Sequence, residues 1–343
     1  MNYLSAINRL SAAPGPSGFE GAVARVALDM LSPLVGEAYL DRMGNVVGLH
    51  PCGKPGAKKV LLDAHLDEIG FIITGQEEGY LRFAPLGGVD PRMLPDRELT
   101  VLTNPPRLGV VACLPPHIQS REDMDKSQPI SELYLDLGLT EEEAKAIPIG
   151  TPAVYRTGCL ALGKDLLSGK ALDDRACFVL LLRALELLEG EELDVDLVVL
   201  GSTQEETHST GAITAAYGLR PDLCVAVDVT HGDSPDASKD KTFPLGKGPV
   251  IGLGPNCTKW ISDLMRRCAK EMDLSVQLEV MSGSSGTNGW PLQVSREGIA
   301  TGVLSLPLRY MHTPIETAHQ GDMEDTAQLL AEFIRRVGKE GAL

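Results

Sequence analysis

At 343 residues the chain exceeds what one hydrophobic core usually serves, so two domains, or one domain with a large insertion, are expected. It is 43% apolar and 23% charged, which excludes a largely disordered chain, and 31 Lys+Arg against 47 Asp+Glu leave a net charge of −16. That balance argues against a binder of nucleic acid or anionic membranes, and aromatics at 4% argue against a stacking platform for single strands.

The first residues alternate polar and apolar at helical spacing, unlike a signal peptide, and no apolar run reaches membrane-spanning length. Helices are expected over 2–13 and 18–32, separated by Pro14-Gly15-Pro16. Strands follow at 37–41, 45–49, 58–65 and 69–74. From about 75 to 160 the texture changes to Gly, Pro and short strand signals, with one helix over 140–146 whose Thr140 and Glu143 have capping-box spacing. From 172 on, helices and strands alternate. A helix over 173–188, apolar on nearly all faces, is expected to be buried, and strands are expected at 195–201, 223–228, 249–253, 276–281 and 300–306. Helices are read at 210–217, 258–272, after Trp290 and at 322–337. Such alternation implies an α/β fold with a mostly parallel sheet covered on both faces, interrupted by a β-rich insert. The seven cysteines form no CxxC pair, which fits reduced thiols in a cytoplasmic protein.

In sheets of this kind, chemistry collects outside the carboxyl ends of the strands. The strand ending in His65 has Asp67 two residues on, a spacing that lets the carboxylate hold the imidazole tautomer that frees its other nitrogen for a metal. Asp173 and Asp174 stand where a loop enters the buried helix. Either could bridge two cations, although a cap at a helix start is the commoner use of such acids. Glu205 and Glu206 follow a wholly apolar strand, one suited to a metal and the other to a general base. Asp228 sits among Ala226, Val227 and Val229, where a lone acid needs a partner. His312 lies in the loop after the last strand. Each signal is weak alone. Together they are oxygen and nitrogen donors without sulfur, which suits a dinuclear hydrolytic centre rather than a structural zinc site.

The segments PGPSGFE, DRMGNVVG, DAHLDEIGF, GKALDDR, TQEE, AVDVTHGDSPD, LGKGPVI and SREGIATGVLSLPLRYMHTPIE run in order over nearly the whole chain. In them the sequence resembles the glutamyl aminopeptidase and tetrahedral (TET) aminopeptidase family of cytosolic dinuclear metallopeptidases, once also labelled cellulases. The resemblance implies a metal-dependent aminopeptidase acting on short peptides, with two divalent cations per subunit, zinc or cobalt, or else manganese. His65 and Asp228 would then hold one cation, and Glu206 and His312 the other. Asp173 would bridge them through a residue whose bond to Asp174 is cis, Glu205 would be the general base, and Asp67 would orient His65. The resemblance further implies a catalytic domain over 1–70 and 165–343 and a PDZ-like β-barrel over 71–164, serving as a dimerisation or lid insert. Dimers would assemble into a tetrahedral homo-oligomer, a dodecamer, with no nucleic-acid or membrane partner.

Three departures from the family pattern mark substrate-pocket candidates. His208 follows the glutamate pair where a Val-Gly pair is usual, Asn288 replaces an acid, and Trp290 replaces a small residue. Residues 282–290 contain no Lys or Arg, which disfavours a preference for acidic first residues. The rival readings are a related N-acyl amino acid deacylase or carboxypeptidase, a metal-free glycosidase, and an inactive peptide-binding scaffold.

Overall fold

The computed structural model describes residues 1–118, 126–235 and 237–340. Two amphipathic helices open the chain, α1 (Tyr3–Ser11) and α2 (Gly21–Leu31), with the prolines between them where no helix can continue. Asn2 caps α1 by accepting from the Ser5 amide, and Tyr3, Ile7 and Leu10 turn inward. Strands β1 (Glu37–Leu40), β2 (Val46–His50) and β3 (Lys58–His65) follow.

The chain then leaves the main sheet. Strands β4 (Gly70–Glu77), β5 (Tyr80–Leu86), β6 (Glu98–Val101), β7 (Arg107–Ala112), β8 (Tyr134–Asp136) and β9 (Pro152–Tyr155) close an antiparallel barrel in the order β4-β5-β8-β7-β6-β9. Closure removes free strand edges. The barrel has its own core, in which Phe71 meets both Phe83 and Tyr155 edge-on. Helix α3 (Glu141–Lys145) packs on it and starts with the Thr140–Glu143 capping box expected from the sequence.

Strands β10 (Leu160–Leu162) and β11 (Leu166–Gly169) return the chain to the main sheet, and α4 (Leu172–Leu187) crosses one of its faces. Then come β12 (Val195–Ser202), α5 (Glu205–His208), α6 (Thr210–Leu219), β13 (Leu223–His231), β14 (Val250–Leu253), α7 (Lys259–Glu271), β15 (Gln277–Val280) and α8 (Gly289–Gln293). The chain closes with β16 (Ala300–Arg309), β17 (Glu316–His319) and α9 (Gln320–Glu340). No described helix is long and apolar enough to cross a membrane.

The main sheet has eleven strands, ordered β1-β2-β12-β3-β13-β16-β17-β11-β10, with β14 on β16 and β15 on β14. Its four central strands, β12, β3, β13 and β16, are parallel. Both flanks are antiparallel, because β1-β2 and β10-β11 are hairpins that need no crossover. Along β3, Val60, Leu62 and Ala64 enter the core under α1, α2, α4 and α9, while Leu61 enters a smaller core with Ala212 and Ala215 of α6. Burial on both faces explains why the strand reads as continuously apolar.

One buried ion cluster ties these layers together. The Arg175 side chain on α4 is fully buried and donates to the carbonyls of Leu10, Ala13 and Leu66 and, at 3.0 Å, to Glu68. Glu68 also takes the Lys170 ammonium at 2.6 Å and the Gly15 amide at 3.2 Å. A single carboxylate therefore holds the first loop, the β3–β4 connection and the entry to α4 in place. Glu68→Ala leaves two buried cations short of an acceptor, and it should cost about 3–5 kcal/mol of stability, read as a lowered denaturation midpoint.

Candidate metal centre

The registers of the four parallel strands align their carboxyl ends. Ser202 of β12 lies opposite His65 of β3, and Asp228 of β13 lies opposite Ser305 of β16. The pairing of Ala226 with Asp63, carried two residues on, brings Asp228 level with His65. A row across the sheet thus ends in hydroxyl, imidazole, carboxylate and hydroxyl. Helix α5 begins just past this row and contributes Glu205 and Glu206. Asp67 holds that turn, its two oxygens accepting the Glu205 and Glu206 amides at 3.0 and 3.1 Å, groups that have no partner within the helix.

Asp173 occupies the middle of the cluster. One of its oxygens is 3.1 Å from His65 Nε2, and the other is 3.4 Å from His312 Nε2. His312 Nε2 is also 3.2 Å from Glu206, and His65 Nε2 is 3.9 Å from Glu205. His65 Nδ1 points back at Asp67, 3.1 Å from its carbonyl oxygen and 3.5 Å from its carboxylate, which leaves Nε2 facing the cluster. Donor atoms of His65, Asp173 and Glu206 lie within 4.8 Å of one another, as do those of His65, Asp174 and Asp228. The bond between Asp173 and Asp174 is cis. Ala171, Gln204 and His312 all adopt φ near +60°, a conformation that L residues with a Cβ avoid: Ala171 lies two residues before Asp173, Gln204 precedes Glu205, and His312 is itself a donor.

The charges are interdependent. Burial pushes the Asp173 carboxyl up, but the His312 and His65 imidazoles outweigh it and hold it well below its ordinary value. Burial opposes protonation of His312, yet Asp173 and Glu206 raise it to about 11; Asp173 and Asp67 likewise raise His65. Burial raises Asp174 and Asp228, each further destabilised as an anion by neighbouring carboxylates. Glu205 is lifted by burial to about 7. One Asp174 oxygen accepts the His65 amide, while the other is buried without a hydrogen-bond partner. A crowd of hard oxygen donors with two imidazoles, one of its oxygens orphaned, has the chemistry of a divalent-cation site.

The cluster forms one wall of a cavity of about 310 Å³. Of the residues singled out from sequence, His65, Asp173, Glu205, Glu206, Asp228 and His312 line it. His208, Asn288 and Trp290 are not among its lining residues. His208 is exposed on the far end of α5, Trp290 is 48% exposed, and Asn288 is buried, donating to Asp63 at 2.8 Å and to Ser202 at 3.0 Å. Nearness in sequence to the glutamates and to the loop at 282–287 did not carry these side chains into the cavity, because the helical turns of α5 and α8 point them elsewhere.

Two supporting groups escaped the sequence reading. Glu316, wholly buried, accepts the His312 amide at 2.9 Å and the Asp173 amide at 3.1 Å, so it fixes two of the clustered residues at once. Its position four residues after His312, opening a strand, was the available signal. Gly88, from the barrel loop, lies so close that a Cβ there would stand 2.8 Å from His312 Nδ1. Asp174, one of the two acids read from the sequence as able to bridge cations, falls in the second donor group with His65 and Asp228.

The family model described as M42 glutamyl aminopeptidase matches residues 44–329. A lysyl aminopeptidase of Pyrococcus furiosus is 34% identical over 340 residues, covering 96% of each chain. Among solved structures, an aminopeptidase of the archaeon Desulfurococcus kamchatkensis superposes with a TM-score of 0.90 at 33% identity, covering 97% of this chain and 94% of that one. The TET1 peptidase of Pyrococcus horikoshii, which can assemble into a tetrahedron or a large octahedral shell, gives a TM-score of 0.85 at 26% identity, covering 98% of this chain and all of that one.

Two measurements follow from the geometry. Loading with zinc should displace protons from the imidazoles, so apparent affinity should fall about tenfold per pH unit for each proton released as the pH is lowered. Titration of the metal-free chain in weak buffer reads this directly. Gly88→Ala should press on His312 and weaken zinc binding by about tenfold or more, with little change in the barrel's own stability.

Proposed function

The chain belongs to the M42 glutamyl aminopeptidase family, and from that premise we propose that it is a metal-dependent aminopeptidase that removes single residues from the amino termini of short peptides. The observation that carries the reading is Asp173 facing one imidazole with each oxygen, with the Glu205 carboxyl beside them. In this reading His65 and Asp228 would hold one divalent cation and Glu206 and His312 the other, with Asp173 shared between them. Asp174, one of whose buried oxygens has no hydrogen-bond partner, would support the side of His65 and Asp228. The donor set suits zinc or cobalt, and manganese as a third choice. When bound, the cations polarise the first peptide carbonyl and acidify the attacking water.

The rest of the chemistry belongs to the chain's own side chains. Glu205, on the cavity wall beside His65, takes the water's proton and passes it to the leaving amine. Asp67 fixes the His65 ring and, through the Glu205 and Glu206 amides, aims both glutamates. Glu316 does the same for His312 and Asp173. Partial burial of these groups strengthens each electrostatic contact.

The barrel, taken as an insert over 71–164 between the catalytic segments 1–70 and 165–343, would serve assembly and line the entrance. Leu108 and Val110 on β7 point outward and are exposed, and they give the insert an apolar face for a second copy. With the shell formed by the TET1 peptidase of Pyrococcus horikoshii as precedent, a tetrahedral dodecamer of this chain in the cytoplasm is the assembly we infer. A hollow shell would admit short unfolded peptides and exclude folded proteins.

The test is turnover of aminoacyl anilides alongside metal content. Two cations per chain, and cleavage that a chelator abolishes and zinc or cobalt restores, are the expected results. Glu205→Gln should retain the metals and lower kcat by about 10³-fold, since it removes only the proton carrier. Equal loss of metal in that variant would overturn the base assignment. Light scattering should give a twelve-chain mass, and Val110→Asp should reduce it to smaller species.

A further inference from the structure

The names of the relatives include both glutamyl and lysyl, so family membership leaves open which first residue this chain takes. The cavity itself is more informative. Apart from the clustered donors, it is lined by Thr230 and His231 of β13, Glu279 of β15 with Met281 beyond it, and Val303 and Met311. Among the described residues no lysine or arginine lines it, and Glu279 is the one lining carboxylate outside the donor cluster.

The position of that carboxylate follows from the strands. Asp228 and Thr230 are two residues apart on β13 and therefore share a face, about 7 Å apart along the strand. Glu279 lines the same cavity as the clustered donors, together with Thr230 and His231, whose hydroxyl and imidazole act on its carboxyl. Burial pushes its pKa up, while the Thr230 hydroxyl and the His231 imidazole favour the anion. Glu279 and Met281 are likewise two residues apart. The Met281 methyl packs over Gly252, where a Cβ would come within 2.6 Å of it, next to Val303. Gly252 is the residue opposite Glu279 in the β14–β15 ladder. The absence of a side chain there lets an apolar floor of Met281 and Val303 run from the donor cluster toward the carboxylate.

We propose that Glu279 selects a basic first residue, its carboxylate receiving the ammonium or guanidinium of an N-terminal lysine or arginine while Met281, Val303 and Met311 flank the aliphatic stem. The inference rests on the aminopeptidase reading above, which fixes the substrate's amino end at the donor cluster. A lysine carries its charge on a flexible four-carbon stem, long enough to cross an apolar floor and end on an anion. An acidic first residue would instead meet a like charge in a part-buried site, with only the exposed His231 to offset it. A leucine would fill the floor and bring no cation to the partly desolvated Glu279.

The experiment compares lysyl, arginyl, leucyl and glutamyl anilides on the metal-loaded chain and on Glu279→Gln and Glu279→Asp. Lysyl and arginyl substrates should lead in kcat/KM. Glu279→Gln should lower kcat/KM for them at least tenfold more than for leucyl, chiefly through KM, because the contact is made equally in the bound and transition states. Glu279→Asp should recover part of the loss. A native preference for leucyl or glutamyl substrates, or an equal loss for every substrate in Glu279→Gln, would overturn the proposal. If no anilide is cleaved, the aminopeptidase reading fails by itself, and binding of lysine hydroxamate against leucine hydroxamate to the metal-loaded chain still decides the role of Glu279. Tighter binding of the lysine compound that is lost in Glu279→Gln supports it, and equal binding refutes it.

Discussion

Carboxylates crowded into a largely buried pocket repel one another, and the architecture around the cavity is arranged to keep them there. Asp173, Asp228, Glu205 and Glu206 meet at one end of the parallel strands, and among the described residues no lysine or arginine lines the cavity to neutralise them. Left to themselves, such groups would take up protons or move apart. They are pinned from outside. Asp67 grips the turn that carries the two glutamates, Glu316 grips Asp173 and His312, and the two imidazoles stand between the acids. In the metal-free chain protons on the imidazoles and on the buried carboxyls ease this repulsion, and divalent cations would take the place of those protons.

The permanent cations are kept on the opposite side of the same short segment. From His65 to Glu68 the chain alternates. His65 and Asp67 turn to the donor cluster, while the Leu66 carbonyl and the Glu68 carboxylate turn to Arg175 and Lys170. The segment therefore separates two charge clusters of opposite character. Arg175 and Lys170 flank Asp173 and Asp174 in sequence yet leave the acids unpaired, because Glu68 and backbone carbonyls occupy them. Had either cation reached the cavity, it would compete with a metal for the carboxylates.

The barrel is more than an appendage. Gly87 and Gly88 bring its loop against Glu206 and His312 so closely that neither position has ordinary room for a side chain. A residue more than two hundred positions from His312 thereby sets the space available to that ring, and the two parts of the chain share one site. The same logic applies at Gly252, where a missing side chain shapes the floor of the cavity.

Much of this was visible in the chain itself. Local apolar runs ending in His65, in the glutamate pair and around Asp228 announced strand ends with chemistry, because period and composition act over a few residues. The capping box at Thr140 and the buried helix α4 were legible for the same reason. What tertiary structure alone decided depends on contacts between distant segments. Register set His65 level with Asp228, and the antiparallel flanks of the sheet came from hairpins whose pairing no single strand specifies. The Glu68 cluster, the double grip of Glu316 and the placement of Glu279 against Thr230 likewise join residues far apart in sequence. His208, Asn288 and Trp290 show the converse: they were close to the site along the chain, but the direction of a side chain on a helix is fixed by what the helix packs against. Sequence therefore determined which donors exist and on which elements they sit, and packing determined which of them face one another.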